Sequence, residues 1–393
     1  SAMTLPNFSF GPITPVAFGI DRVEKLAGDV KRLVGADAPV LLVNDPGIST
    51  MGDRVEGILK AGGHNVARFQ DVRSDPLSRQ IDAAADLARR HGAKLVVCLG
   101  GGSALDVGKM AAAIAPAEQP ADYYALAVNP LPASPLKKIC IATTSGTGSE
   151  TTRVSVYSND KGEKLWGWGD GLAADLALLD PRLTVGLPPH LTAATGIDAL
   201  VHAIEAVTIR RANPMNDSVG LQAIRLIAAH LPRAVAVPDD LTARGYVQIA
   251  AASAGIAIDN AGTGVAHALG HALGAVGHVH HGRAVGLSLR VAIAWNAEVS
   301  PARHALVAAA LGVPTEGRSE AAIVADLGQA FDRFVRSTGL GISLAKDGLG
   351  KADTKRLADT MMQPENKPMR DSNCREITAD DALALSEAVL TAA

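Results

Sequence analysis

Apolar and polar positions alternate along the first half of the chain in two different periods. Val40–Asn44, Asn65–Phe69 and Leu95–Leu99 are short β-branched or leucine-rich runs. Lys138–Ala142 and Leu176–Leu179 are two more. Between them, Met51–Ala61, Ser78–His91 and Ala104–Ala113 place apolar residues three and four apart, the helical period. Strands alternating with helices of this length predict βαβ units and a largely parallel sheet. Runs such as Leu95-Val96-Val97-Cys98-Leu99 fit strands covered on both faces.

The pattern changes after Leu187-Pro188-Pro189. From Leu191 onward the periodicity is almost wholly helical, with turns at Asn213-Pro214, Leu231-Pro232, Pro238-Asp239 and Gly312–Pro314. The expected architecture is a Rossmann-like α/β domain with a parallel sheet over residues 1–188, followed by an all-helical domain over residues 189–393. Ligands are expected in a cleft between the two, against the carboxyl ends of the strands.

Composition narrows the functional classes. The 393 residues are 48% hydrophobic and 20% charged, as in a folded soluble protein, and only 3% aromatic, so the core must close by tight backbone approach. The 37 basic and 40 acidic residues give a net charge of −3 without a basic stripe, which argues against nucleic-acid binding. Cys98, Cys140 and Cys374 form no Cys-x-x-Cys pair, and a reducing compartment is expected. No apolar stretch reaches the ~20 residues of a membrane span. The leading Ser1-Ala2 reads as an expression remnant before Met3, no targeting signal follows, and the cytoplasm is expected.

Histidine placement is the sharpest chemical signal. Asp198 and His202 are four apart in a helical segment, so they share a face and can grip one cation. His267 and His271 repeat that spacing, and His278, His280 and His281 follow. Five of the eleven histidines fall within these fifteen residues, amid alanine-rich helix. Buried imidazoles need partners. A carboxylate with three imidazoles suits Fe(II) or Zn(II) with an open position for a substrate oxygen. Taken singly, an i, i+4 Asp/His pair is more often a surface or capping pair.

Two strand-terminal turns form the second signal. Gly100-Gly101-Gly102-Ser103 follows a strand and opens a helix, where backbone can approach a pyrophosphate, although such glycine runs also serve as plain tight turns. Thr143-Thr144-Ser145-Gly146-Thr147-Gly148-Ser149-Glu150 is a turn dense in hydroxyls. Asp45, after the first strand, can accept a ribose diol or cap the turn at Pro46.

These motifs together resemble the iron-activated (group III) alcohol dehydrogenase family, from about Phe18 to about Arg375. The resemblance rests on Gly-Gly-Gly-Ser-x-x-Asp at 100–106, the threonine turn at 143–150 and Leu179-Asp180-Pro181. It continues through Gly-x-Asp-Ala-x-x-His-x-x-Glu at 196–205, Gly-x-x-His-x-x-x-His-x-x-Gly at 264–274 and His281-Gly282. It implies Asp198, His202, His267 and His281 as ligands of Fe2+, with Zn2+ as a substitute, and His271 beside the nicotinamide and the reacting carbon. It implies that Gly101, Gly102, Ser103, Thr143, Thr144, Thr147 and Lys164 contact NAD, and Asp45, from its position after the first strand, and Asp106 join the expected cofactor-binding set. His280 precedes His281 where Pro is frequent, and spacing does not choose between the two. Trp166, Trp168, Arg210-Arg211 and Asn373-Cys374-Arg375 depart from the family pattern.

The implied reaction is hydride transfer between NAD(H) and a small alcohol or aldehyde, by a homo-oligomer, expected to be a dimer. A lyase or cyclase resembling dehydroquinate synthase is the alternative. It would need a Lys/Arg cluster for a sugar phosphate, and none surrounds these motifs. A non-catalytic polyol- or metal-binding protein is the other rival.

Overall fold

The computed structural model describes residues 5–393, so the Ser1-Ala2-Met3 expectation lies outside the described residues. The described chain divides into two compact units, Pro12–Gly186 and, together, Leu5–Gly11 with Leu187–Ala393. The expected boundary at 188/189 made no provision for the leading segment, which belongs with the helical unit. There Gly11 N–H donates to Asn260 Oδ1 at 2.8 Å.

Six strands of the first unit form one sheet: β1 (Val16–Phe18), β2 (Val40–Asn44), β3 (Val66–Phe69), β4 (Leu95–Gly100), β5 (Lys137–Ala142) and a last strand, Leu176–Leu179. Between the last two lies an antiparallel hairpin, β6 (Val154–Ser158) and β7 (Lys164–Trp168), which makes Leu176–Leu179 β8. The sheet order is β1-β8-β5-β4-β2-β3 and every pairing is parallel. Helices α1 (Leu26–Val34), α2 (Ser49–Ala61), α3 (Ser78–His91) and α4 (Gly102–Ile114) connect and cover it. Alternate strand residues feed two cores, Leu41, Val43, Val96, Cys98 and Cys140 on one face and Val40, Leu42, Leu95, Val97 and Ile139 on the other. Both faces are buried, which is why these strands read as continuous apolar runs.

Strand order positions the chemistry. β2, β4 and β5 are neighbours in the sheet, with Asn44 opposite Leu99 and Gly100 opposite Ala142. Their carboxyl ends therefore bring Asp45, the glycine loop and the threonine turn side by side. The period analysis leaves out β1, α1 and the β6–β7 hairpin. β1 has three residues, too few for a period to register.

The second unit is helical: α5 (Pro189–Thr208), α6 (Pro214–Ala236), α7 (Leu241–Ala261), α8 (Val265–Gly277), α9 (His281–Ala297) and further helices between Pro301 and Thr391. α5 is buried around nearly its whole circumference from Thr192 to Thr208. Glycines let its neighbours in: a Cβ at Gly196 would run into Leu231 of α6, and one at Gly286 of α9 into Ile197. Among the described residues no helix is long and apolar enough to cross a membrane.

The approach of α4 to the sheet is equally tight. A Cβ at Gly108 would meet the Cys98 Sγ and stand 2.9 Å from the Cys98 Cβ on β4. Gly108→Ala gains about 1 kcal/mol of helix propensity but overpacks a rigid sheet at about 1–3 kcal/mol, so packing wins. The expected result is a lower urea midpoint for the α/β unit; an unchanged or higher midpoint would refute the contact.

Candidate metal centre and dinucleotide cradle

Asp198 and His202 lie one turn apart on the buried helix α5, His267 lies in the first turn of α8, and His281 opens α9. The Asp198 Oδ1 sits 3.3 Å from His202 Nε2, 3.7 Å from His267 Nε2 and 3.3 Å from His281 Nε2. One ligand atom from each of the four residues lies within 4.8 Å of the others. A tetrahedral cation about 2.1 Å from its ligands places them about 3.4 Å apart, so the spacing is that of a cation site. The Asp198, His202 and His267 side chains are 3–5% exposed, whereas His281 is 40% exposed, so this is the side on which the cluster opens.

The donor set fits a cation on electrostatic grounds as well. Asp198 Oδ1, His202 Nδ1 and His267 Nε2 are buried without a hydrogen-bond partner among the described residues. His267 Nδ1 donates to Glu205 Oε1 at 2.6 Å, which fixes the tautomer and turns the Nε2 lone pair towards Asp198. A lone pair facing a carboxylate oxygen at 3.7 Å is repulsive unless positive charge lies between them. Burial works to lower His267, but Asp198 and Glu205 outweigh it and raise the group to about 9, so without a cation a proton on Nε2 supplies that charge. Burial works to raise Asp198, but His202, His281 and His267 hold it well below the carboxylate range. Burial pushes His202 down, with Asp198 opposing. The cluster calls for positive charge at its centre.

Glu205 is the functional residue that the sequence reading quotes in a motif without giving it a task. Its Oε2 accepts from Ala266 N–H at 2.9 Å while its Oε1 orients His267, so one carboxylate caps α8 and aims a ligand carried by it. Its sequence signal is a glutamate seven residues after Asp198 on an otherwise apolar helix. Asn373 does the neighbouring job: its Oδ1 accepts from Val265 N–H at 3.1 Å, and its carbonyl accepts from Arg210 Nε at 2.7 Å. Asn373, held by Arg210, thus braces α8, while Cys374 and Arg375 bond to the Asn296 and Trp295 carbonyls of α9.

His280 is a cap. Its Nδ1 accepts from Gly282 N–H at 3.2 Å at the start of α9, while His281 joins the cluster. Gly282 is glycine because a Cβ there would run into the Ala194 carbonyl of α5. His271 stays outside the ligand set, half-buried one turn after His267, with ring centroids 5.3 Å from His281 and 5.9 Å from His267.

In the other unit, the glycine loop and threonine turn touch. Thr143 N–H donates to Gly100 O at 2.9 Å, and a Cβ at Gly102 would lie 2.7 Å from Thr147 Cγ2. Gly100 has φ +145°, a conformation that L side chains avoid, and a Cβ there would be 3.0 Å from Asp45 Oδ2. Asp45 therefore lies against the loop. It makes no side-chain cap bond to the turn at Pro46. Gly101, Gly102, Ser103, Thr144 and Thr147 are half-buried, with Ser103 Oγ donating to Ser74 O at 2.7 Å. Lys164 is exposed at the start of β7.

Asp106, expected to contact the cofactor, already accepts from one protein donor at each carboxylate oxygen. Ser149 Oγ donates to one at 2.6 Å and Val156 N–H to the other at 3.1 Å. Lys109 and Glu150 are two buried charged residues of this unit that the sequence reading leaves without a role. Burial pushes the Glu150 carboxyl up to about 7, and its Oε1 has no partner among the described residues. Of the two unusual tryptophans, Trp168 carries the Arg153 guanidinium 4.8 Å from its ring centroid.

Comparison with known proteins covers both units. The iron-containing alcohol dehydrogenase model matches residues 14–181, and the C-terminal model of the Fe-containing alcohol dehydrogenase family matches residues 192–390. The sulfoacetaldehyde reductase of Bilophila wadsworthia is 34% identical, covering 96% of this chain and 97% of its own. Long-chain-alcohol dehydrogenase 1 of Geobacillus thermodenitrificans is 36% identical, over 92% and 91%. The solved sulfoacetaldehyde reductase of Bifidobacterium kashiwanohense, in complex with NAD+, superposes with a TM-score of 0.89 at 28% identity, covering 98% of this chain and 99% of that one.

If the four-residue cluster holds the metal, His267→Ala removes the bound metal while His280→Ala keeps a full equivalent. Glu205→Gln keeps the shape but loses the charge behind His267, and metal affinity should fall about 10–100-fold. Metal analysis and chelator competition check this; His267→Ala retaining its metal would refute the assignment.

Proposed function

Because the chain belongs to the iron-containing alcohol dehydrogenase family, we propose that it transfers hydride between NAD(H) and a small alcohol or aldehyde. The ligands in this proposal are Asp198, His202, His267 and His281, for Fe2+ with Zn2+ as a substitute. Asp45, Gly101, Gly102, Ser103, Thr143, Thr144, Thr147 and Lys164 contact NAD. The observation that carries the reading is the buried carboxylate-and-imidazole cluster, with partnerless atoms and a ligand histidine aimed by Glu205. A bound divalent cation supplies Lewis acidity towards the substrate oxygen, and the nicotinamide supplies the hydride exchange.

The chain's own tasks follow from its side chains. Glu205 holds the His267 tautomer, and burial of Asp198 and His202 excludes water from their side of the site. His271 carries the alcohol proton outward, since imidazole gains and loses a proton near neutral pH and this ring lies beside His281, the exposed member of the cluster. The relatives are named for substrates as unlike as sulfoacetaldehyde and long-chain alcohols, so the proposal stops at the alcohol or aldehyde class. The lyase or cyclase alternative draws no support from the family matches. A cytoplasmic homodimer completes the proposal. Three free cysteines favour a reducing compartment, and exposed Val16 and Phe18 on the edge strand β1 favour a second copy there.

After Fe2+ or Zn2+ loading, a panel of short alcohols and diols with NAD should give NADH absorbance. His271→Asn should keep the metal and NADH binding while kcat drops about a hundredfold. No turnover of any alcohol or aldehyde by metal-loaded protein would sink the reaction, and an unchanged kcat would remove the role of His271.

Cofactor choice rests on Asp45. A 2′-phosphate near that carboxylate at about 4 Å is repelled by about 4 kcal/mol at an effective dielectric near 20. Half of that already gives more than about a tenfold preference for NAD. Asp45→Gly should raise kcat/KM with NADP far more than it lowers that with NAD, and an unchanged ratio would make Asp45 structural.

A further inference from the structure

Lys109 is fully buried, and the Nζ of this lysine has no route to water. An ammonium ion is costly to bury unless hydrogen bonds and counter-charge replace its hydration. Here they do. Lys109 Nζ donates to Ser149 O at 2.7 Å, Val154 O at 2.8 Å, Thr152 O at 3.1 Å and Thr152 Oγ1 at 3.3 Å, with Asp106 Oδ1 at 3.9 Å. Asp106 grips the same segment from one turn earlier, through Ser149 Oγ and Val156 N–H, and its own carbonyl accepts from Ser155 Oγ at 2.9 Å.

Gly102, Asp106 and Lys109 are spaced four and three apart, so they form one stripe along α4. At the front of the stripe Gly102 touches Thr147; behind it Asp106 and Lys109 hold residues 149–156. That segment runs from the end of the threonine turn into β6, and β6 pairs with β7, where Lys164 stands opposite Ser158. Three pieces are thus fastened to one helix: the glycine loop that begins it, the threonine turn, and the hairpin bearing Lys164.

We propose that Asp106 and Lys109 are positioning residues for the dinucleotide, locking loop, threonine turn and hairpin into one preformed cradle. The proposal rests on the assignment of NAD to these three pieces. Neither residue touches the cofactor. They act by removing the freedom of the turn relative to the loop, so that ordering does not have to be supplied on binding. The charge on Lys109 is fully used within the protein, which separates it from a phosphate-binding lysine.

The test is NADH titration by fluorescence on the metal-loaded full chain, with cofactor KM, kcat, metal content and thermal midpoint measured in parallel. Ser149→Ala deletes one strut and leaves both α4 residues in place. NADH Kd and the KM for NAD should rise about fivefold, the equivalent of about 1 kcal/mol, with kcat at saturating NAD changed less. Metal content should be unchanged. Ser149→Thr restores the hydroxyl and should bind NADH within about twofold of wild type. Asp106→Asn keeps the volume and is read in the same way should Ser149→Ala fail to fold. A Ser149→Ala protein that binds NADH as wild type does, even with a lowered thermal midpoint, overturns the proposal. So does a Ser149→Thr variant as impaired as Ser149→Ala. Wild-type protein that binds no NADH would instead remove the cofactor assignment on which the proposal rests.

Discussion

A carboxylate buried in an alanine-rich helical unit is the constraint around which that unit is organised. Asp198 is 2% exposed, so its charge has to be answered from within the fold. Three imidazoles converge on it, and each arrives on a helix whose position has to be held. α8 is fixed by Glu205 and Asn373 at its first N–H groups, and α9 by the contact of Gly282 with α5. Loosening either helix would change ligand distances that lie between 3.3 and 3.7 Å.

Low aromatic content follows from the same geometry. Helices that bring these carboxylate and imidazole atoms within 4.8 Å of one another cannot be held apart by large rings. Alanine and glycine at the crossings allow the approach, as Gly196 against Leu231 and Gly286 against Ile197 illustrate. Close packing supplies rigidity in place of ring burial, since an interior at crystal density resists displacement of a single helix.

Much of this was legible in the sequence because the decisive signals are local. The i, i+4 spacing of Asp198 and His202 needs only a helix to become a shared face, and α3 spans Ser78–His91 as the period predicts. The parallel sheet followed from apolar runs that both faces require. The rest depends on contacts between distant residues. His280 and His281 are indistinguishable by spacing, and only the cap bond to Gly282 N–H separates them. Glu205 acquires its task from a helix sixty residues later. Asp106 shares a motif with the glycine loop, and nothing in that motif discloses its bonds to Ser149 and Val156. The leading segment carries no periodic signal that would assign it to the helical unit.

The two buried charge clusters differ in a way that sorts structure from chemistry. Lys109 has four oxygen acceptors and a nearby carboxylate; nothing about it is left unanswered, and a ligand could improve nothing there. The Asp198 cluster is answered only in part, with Oδ1, His202 Nδ1 and His267 Nε2 buried and partnerless. Unsatisfied buried polar atoms cost about 1–3 kcal/mol each, and two of these, Asp198 Oδ1 and His267 Nε2, face one another across 3.7 Å, so positive charge between them would repay the cost. Sequence conveys which residues are charged but not which charges are satisfied. The bonds around a buried charge, more than its burial, mark Lys109 as a brace and Asp198 as the centre of a site.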